Sequence, residues 1–126
     1  QLTRLHDRLV ERYNGRTFAA EIAKLSRDYG AYPTPPIAGN EMIQPLRSWE
    51  DLVNEGREMR HCVASWHYSV MQRSTFIYRV YGTDRLTLAI ARQGDGWRIS
   101  EVKSYCNRPA QICDMEKIQR WLSGGA

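Results

Sequence analysis

Between Phe76 and Val102 the chain holds three short runs with apolar residues at every second position, joined by tight turns. Period two puts successive side chains on opposite faces of an extended chain, and turns this short join antiparallel neighbours. The first run sets Phe76, Tyr78 and Val80 against Ile77, Arg79 and Tyr81. Gly82-Thr83-Asp84 makes the turn. The second sets Leu86, Leu88 and Ile90 against Thr87, Ala89 and Ala91. Gln93-Gly94-Asp95-Gly96 is a strong hairpin signal. Trp97 and Ile99 open the third run, but Val102 falls out of phase with them. One extra residue near Ser100-Glu101, a β-bulge, restores the phase.

Around this meander the apolar period changes to that of helices. Leu2, Leu5 and Leu9 recur at helical spacing before Asn14-Gly15, and Thr17 caps a second stretch whose apolar face is Phe18, Ile22, Leu25 and Tyr29. Residues 1–30 are therefore expected as a helical hairpin. Residues 31–47 carry Pro33, Pro35, Pro36 and Pro45 and read as a loop or linker. Ser48 is an N-cap with Asp51 three residues on, and Leu52, Met59, Val63, Trp66 and Val70 mark one helical face over about 49–72. Gly56 costs roughly 1 kcal/mol in a helix relative to alanine, so two helices meeting near Arg57–His61 fit as well as one. A last helix follows Pro109, with Ile112, Met115, Ile118 and Leu122 expected inward. The expected fold is α+β: an N-terminal helical hairpin, then a helix, a three-stranded antiparallel meander and a C-terminal helix, with the helices on one sheet face.

Composition narrows the function classes. The chain has 126 residues, 42% hydrophobic and 25% charged, as in an ordinary globular domain. No apolar run reaches the roughly 18 residues of a membrane helix, so no membrane partner is expected. Lys and Arg total 18 against 14 Asp and Glu, a net charge of +4, and only Lys24, Lys103 and Lys117 are lysines. Arginine's planar fork suits phosphates and carboxylates, although codon usage gives the same excess. Three cysteines, an odd number, argue against a disulfide framework. They read as thiols in a reducing cytosol, and the expected location is cytoplasmic. The chain begins at Gln1, which is read as a segment of a longer parent whose other domains are further expected partners.

The adjacent His61 and Cys62 are the first candidates for chemistry. A cysteine nucleophile needs a lowered pKa and a base within reach. Neighbours on a helix point about 100° apart, so the pair is not a self-contained dyad if this segment is helical. The competing reading is a packed thiol beside a capping histidine. Cys106 and Cys113 have six residues between them, which matches no zinc pattern, and no phosphate-binding glycine loop exists. Neither a metal nor a cofactor is expected. Glu101, between Arg98 and Lys103, reads either as an acid–base group or as a cross-strand ion pair. Arg79, Arg98, Lys103 and Arg108 lie on or beside the strands, interleaved with Tyr78, Tyr81, Trp97 and Tyr105. Sheet aromatics with arginines can hold single-stranded nucleic acid, and the bland alternative is a solvated basic face. Tyr78 shares the face of Phe76 and Val80, so burial is expected for it; Arg79 and Tyr81 share the other face.

Taken together, Asn54-Glu-Gly-Arg-Glu-Met-Arg-His-Cys-Val63, Phe76-Ile-Tyr-Arg-Val80, Arg85-Leu-Thr-Leu-Ala-Ile90, Trp97-Arg-Ile99 and Asn107-Arg-Pro109 resemble the PcfJ-like family. The resemblance covers residues 48–122, with the hairpin and the Pro-rich segment outside it. It implies a domain of conjugative plasmids and other mobile elements, hence a functional neighbourhood rather than a defined reaction. The matching polar positions are His61, Cys62, Arg79, Thr87 and Asn107. The expected function is binding, with processing as an extension, of nucleic acid through Arg79, Arg98, Lys103 and Arg108. The alternatives are a small enzyme using His61 and Cys62 with Asn107 orienting, and a protein-interaction module.

Overall fold

The computed structural model describes residues 31–61 and 66–124, so the expected N-terminal hairpin lies outside the described residues. The elements run β1 (Ile43–Pro45), α1 (Trp49–Met59), α2 (Trp66–Met71), β2 (Thr75–Tyr81), β3 (Arg85–Gln93), β4 (Gly96–Lys103), a 3-10 turn (Tyr105–Asn107) and α3 (Ile112–Leu122). The sheet is antiparallel, in the order β1-β2-β3-β4.

The three strands read from period two are present. Gly94 supplies the positive φ (58°) that the tight β3–β4 turn requires. In β4 the pairing steps from Ala89↔Glu101 to Ile90↔Ile99, so Ser100 is the extra residue of a bulge. Trp97, Ile99 and Val102 thereby share the face of Leu88 and Ile90, as the broken phase required.

Two expectations about the sheet need correction. A fourth strand exists, because Ile43–Pro45 of the supposed loop pairs with Tyr78–Val80 of β2. Three residues are too few to show a period, and Pro45 disguises them; proline fits there because β1 is an edge strand. Helices also cover both faces rather than one. On one side Phe76, Tyr78, Val80, Leu86, Leu88 and Ile90 pack with Ile43 and with Ile118 and Trp121 of α3. On the other, Ile77 and Ala89 pack with Leu52 of α1, Val70 of α2, Tyr32 and Leu46. Strands buried on both faces carry apolar residues at consecutive positions, which an alternation count underestimates.

The Pro-rich segment is built into this core. Tyr78 donates its hydroxyl to the Ile37 carbonyl at 2.8 Å, and Trp121 donates its indole N–H to the Ala38 carbonyl at 2.9 Å. The Asn40 side chain accepts from the Met42 and Ile43 amides at 2.9 and 2.7 Å, turning the chain into β1. Ser48 caps α1 by accepting from Asp51 N–H at 3.1 Å. Of the two arrangements open for 49–72, the structure has two helices, with α1 continuing through Gly56 and stopping at Arg60.

Candidate functional site

Helix α1 buries Leu52, Val53, Glu55 and Met59. Glu55 stands three residues after Leu52 and four before Met59, on the apolar stripe, and is 1% exposed. A buried carboxylate needs partners, and β3 supplies them. Arg85 donates two guanidinium N–H groups to Glu55, through Nη1 to Oε2 at 2.9 Å and through Nη2 to Oε1. The Thr87 hydroxyl donates to Glu55 Oε2 as well. Arg85 is further held by the Leu86 carbonyl at 2.7 Å, by Glu58 at 3.4 Å, and over the Tyr81 ring with 5.1 Å to its centroid.

His61 joins this group because of how α1 ends. Arg60 takes the left-handed conformation (φ 53°, ψ 49°), and the amides of Arg60 and His61 both return to the Gly56 carbonyl. That stop turns His61 off the helical spiral and towards the sheet, where its Nε2 lies 3.1 Å from Thr87 Oγ1. Burial lowers the His61 pKa, and nearby Arg85 lowers it too. Glu55, Glu101 and its own backbone carbonyl act in the opposite direction without reversing the shift. The ring is therefore held towards its neutral form.

Strand register places the cations. Arg79 pairs with Thr87, and Thr87 with Lys103, so Arg79 and Lys103 flank Thr87 in one row across three strands. In the next row Glu101 pairs with Ala89, and beyond it Arg98 pairs with Ala91. All these side chains stand on the α1 side of the sheet. Arg79 meets Asp51 at 3.8 Å, whereas Arg98, Lys103 and Arg108 form no ion pair among the described residues. Glu101 and Lys103 also border a shallow groove along the outer edge of β4, walled by Pro109, Ala110 and Met115.

Asn107 follows Cys106 in left-handed backbone (φ 63° after φ 57°), in the exposed 3-10 turn that packs against α1. Its side chain makes no hydrogen bond among the described residues. Arg108 comes next, exposed and extended, its carbonyl accepting from Ser104 N–H at 2.6 Å. Cys62 lies outside the described residues. His61, Thr87, Arg79 and Lys103 thus come together, Asn107 and Arg108 sit at one end of the group, and Arg98 stands two rows away. Tyr78 is fully buried, Tyr81 and Tyr105 are exposed, and Trp97 packs edge-on against Phe76 beneath Arg92.

Glu55 and Arg85 both stand in the segments that carry the family resemblance, but the sequence does not pair them. The signal for Glu55 was a charge on the stripe between Leu52 and Met59; nothing local marked Arg85 as its partner thirty residues on. Among the described residues no group of three or more His, Cys, Asp or Glu could hold a metal ion, and no helix is long and apolar enough to cross a membrane.

The model of the family described as PcfJ-like protein matches residues 1–118, so the match extends beyond the 48–122 resemblance to take in the N-terminal and Pro-rich segments. No curated protein and no solved structure matches the chain.

Proposed function

The chain belongs to the PcfJ-like protein family, and on that premise we propose that it binds nucleic acid of a mobile element along the α1 side of β2–β4. The observation that carries this reading is the row Arg79–Thr87–Lys103, with His61 hydrogen-bonded at its centre. Lys103 and Arg108 project from the end of β4 and the turn after it, Arg98 stands two rows away on the same face, and no carboxylate among the described residues claims any of them as an ion-pair partner. Cations in this condition can exchange solvent ions for phosphates. The exposed Tyr81 and Tyr105 add aromatic surface at the same end of the sheet.

The experiment is a salt series on a labelled single-stranded oligonucleotide. Log affinity falls linearly with log salt, and each of Lys103→Ala and Arg108→Ala reduces the slope by about 0.7, the value for one phosphate contact on a single strand. Affinity that does not weaken as salt rises overturns the phosphate role. One observation favours a second reading, chemistry at His61: the hydrogen-bond chain from its ring through Thr87 to a buried carboxylate.

A further inference from the structure

We propose that His61 is a catalytic base acting through Nδ1 on a phosphodiester, and that Thr87, Glu55 and Arg85 are positioning residues that fix its proton on Nε2. The substrate class rests on the nucleic-acid reading above; the placement of the proton does not.

The tautomer follows from where each hydrogen goes. A threonine hydroxyl has one proton to give. Thr87 gives it to Glu55 Oε2, and both are 1% exposed, so no bulk water offers an alternative. Glu55 faces the guanidinium fork of Arg85 and engages both of its oxygens as acceptors. Arg85 cannot swing away readily, because Glu58, Tyr81 and the Leu86 carbonyl hold it from other sides. With its proton committed, Thr87 meets His61 as an acceptor. The contact of 3.1 Å must then be Nε2–H donating to Thr87 Oγ1. A neutral imidazole has one N–H, so the basic lone pair is on Nδ1, whose near neighbour, the backbone carbonyl of His61 itself, is an acceptor with no proton to give.

This arrangement orients a base by a group behind it, with a hydroxyl interposed between histidine and carboxylate. Nδ1 takes the proton of an attacking water or hydroxyl, whose oxygen forms a bond to phosphorus. The P–O ester bond breaks with its electron pair on the leaving oxygen, which takes a proton from solvent water. The imidazolium returns its own proton to solvent. While charged, the ring is stabilised by Glu55 through Thr87 and by nearby Glu101. Lys103 and Arg79, on either side of Thr87, are the cations placed to meet charge developing on the phosphate.

The test reads the proton directly. Long-range 1H–15N spectra of the labelled chain distinguish the two neutral tautomers of each histidine ring, and a His61→Gln variant assigns the signals. The unchanged chain shows the Nε2–H form for His61. Thr87→Val, which removes the acceptor at nearly constant volume, populates the Nδ1–H form, and Thr87→Ser, which keeps a hydroxyl, restores Nε2–H. In parallel, cleavage of a labelled oligonucleotide is lost in His61→Gln and falls at least tenfold in Thr87→Val, with partial rescue in Thr87→Ser. An Nδ1–H ring in the unchanged chain overturns the proposal without any variant having to fold. Absence of cleavage by the unchanged chain overturns the catalytic step. Either result leaves salt-dependent binding standing, so failure here is separable from failure of the nucleic-acid reading.

Discussion

Glu55 occupies a position where helix periodicity calls for an apolar side chain, and the group at the end of α1 is organised around the consequences. Removing one member of a buried ion pair leaves the other charged and undersolvated. Arg85→Met is therefore expected to cost about 3–5 kcal/mol of folding stability, measured by urea denaturation. The double variant Glu55→Gln with Arg85→Met should cost less than the two single changes summed, because the stranded charge is gone. Additive costs would show that the pair is not coupled. Arg60 offers a change in the other direction. Left-handed backbone is strained for any residue with a Cβ, so Arg60→Gly should stabilise by about 1 kcal/mol while keeping His61 on Thr87. At this scale the site was half legible. His61, Thr87 and Arg79 stood out as polar residues within regular apolar patterns. The ion pair that orients them did not, because Glu55 and Arg85 are thirty residues apart and only tertiary packing makes them neighbours.

Helix α3 shows the same division between pattern and packing. The expected inward face of Ile112, Met115, Ile118 and Leu122 is rotated in the structure. Ile118 and Trp121 are buried and Ile112 is 78% exposed, since it lies about 120° round the helix from Ile118. What turns the helix is Asp114, fully buried, whose carboxylate accepts from the amides of Thr83 at 2.8 Å and Asp84 at 3.2 Å in the β2–β3 turn. An aspartate is a poor guide to a buried face when read alone, whereas the period-two strands announced themselves. Burial raises the Asp114 pKa, but those two amides, the Thr83 hydroxyl and Lys117 outweigh it, so the net shift is downward. Its contribution is therefore present above the ordinary carboxylate range near pH 4 and is lost as pH falls through the lowered value. Gly82 makes this docking close. A Cβ there would stand 2.5 Å from Asp114 Oδ1, so Gly82→Ala should cost about 1–3 kcal/mol in thermal or urea unfolding. An unchanged melting temperature would mean that α3 is anchored elsewhere.

For the whole molecule, two histidines set the response to mild acid. Burial lowers the pKa of His61 and of His67, which meets the Tyr32 hydroxyl at 2.8 Å and the edge of Trp49 at 4.5 Å between centroids. Below about pH 6.5 the unfolded chain binds protons at these positions that the folded chain resists, so stability falls with pH. The urea midpoint should drop between pH 7.5 and 5.5, and His61→Gln with His67→Gln should flatten that slope. A midpoint that holds or rises on acidification contradicts the neutral assignment. The bulge at Ser100 bears on a different property, colloidal behaviour. Ser100 is the one β4 residue without a partner across the ladder, so deleting it leaves Glu101, Val102 and Lys103 facing the sides they already face. The shortened chain should fold with the same core. It would, however, present an uninterrupted outer strand, with regularly spaced amides and carbonyls open to a second molecule. Sedimentation velocity should then show concentration-dependent association that the unchanged chain lacks, which would make this single serine a safeguard of solubility and not of the fold.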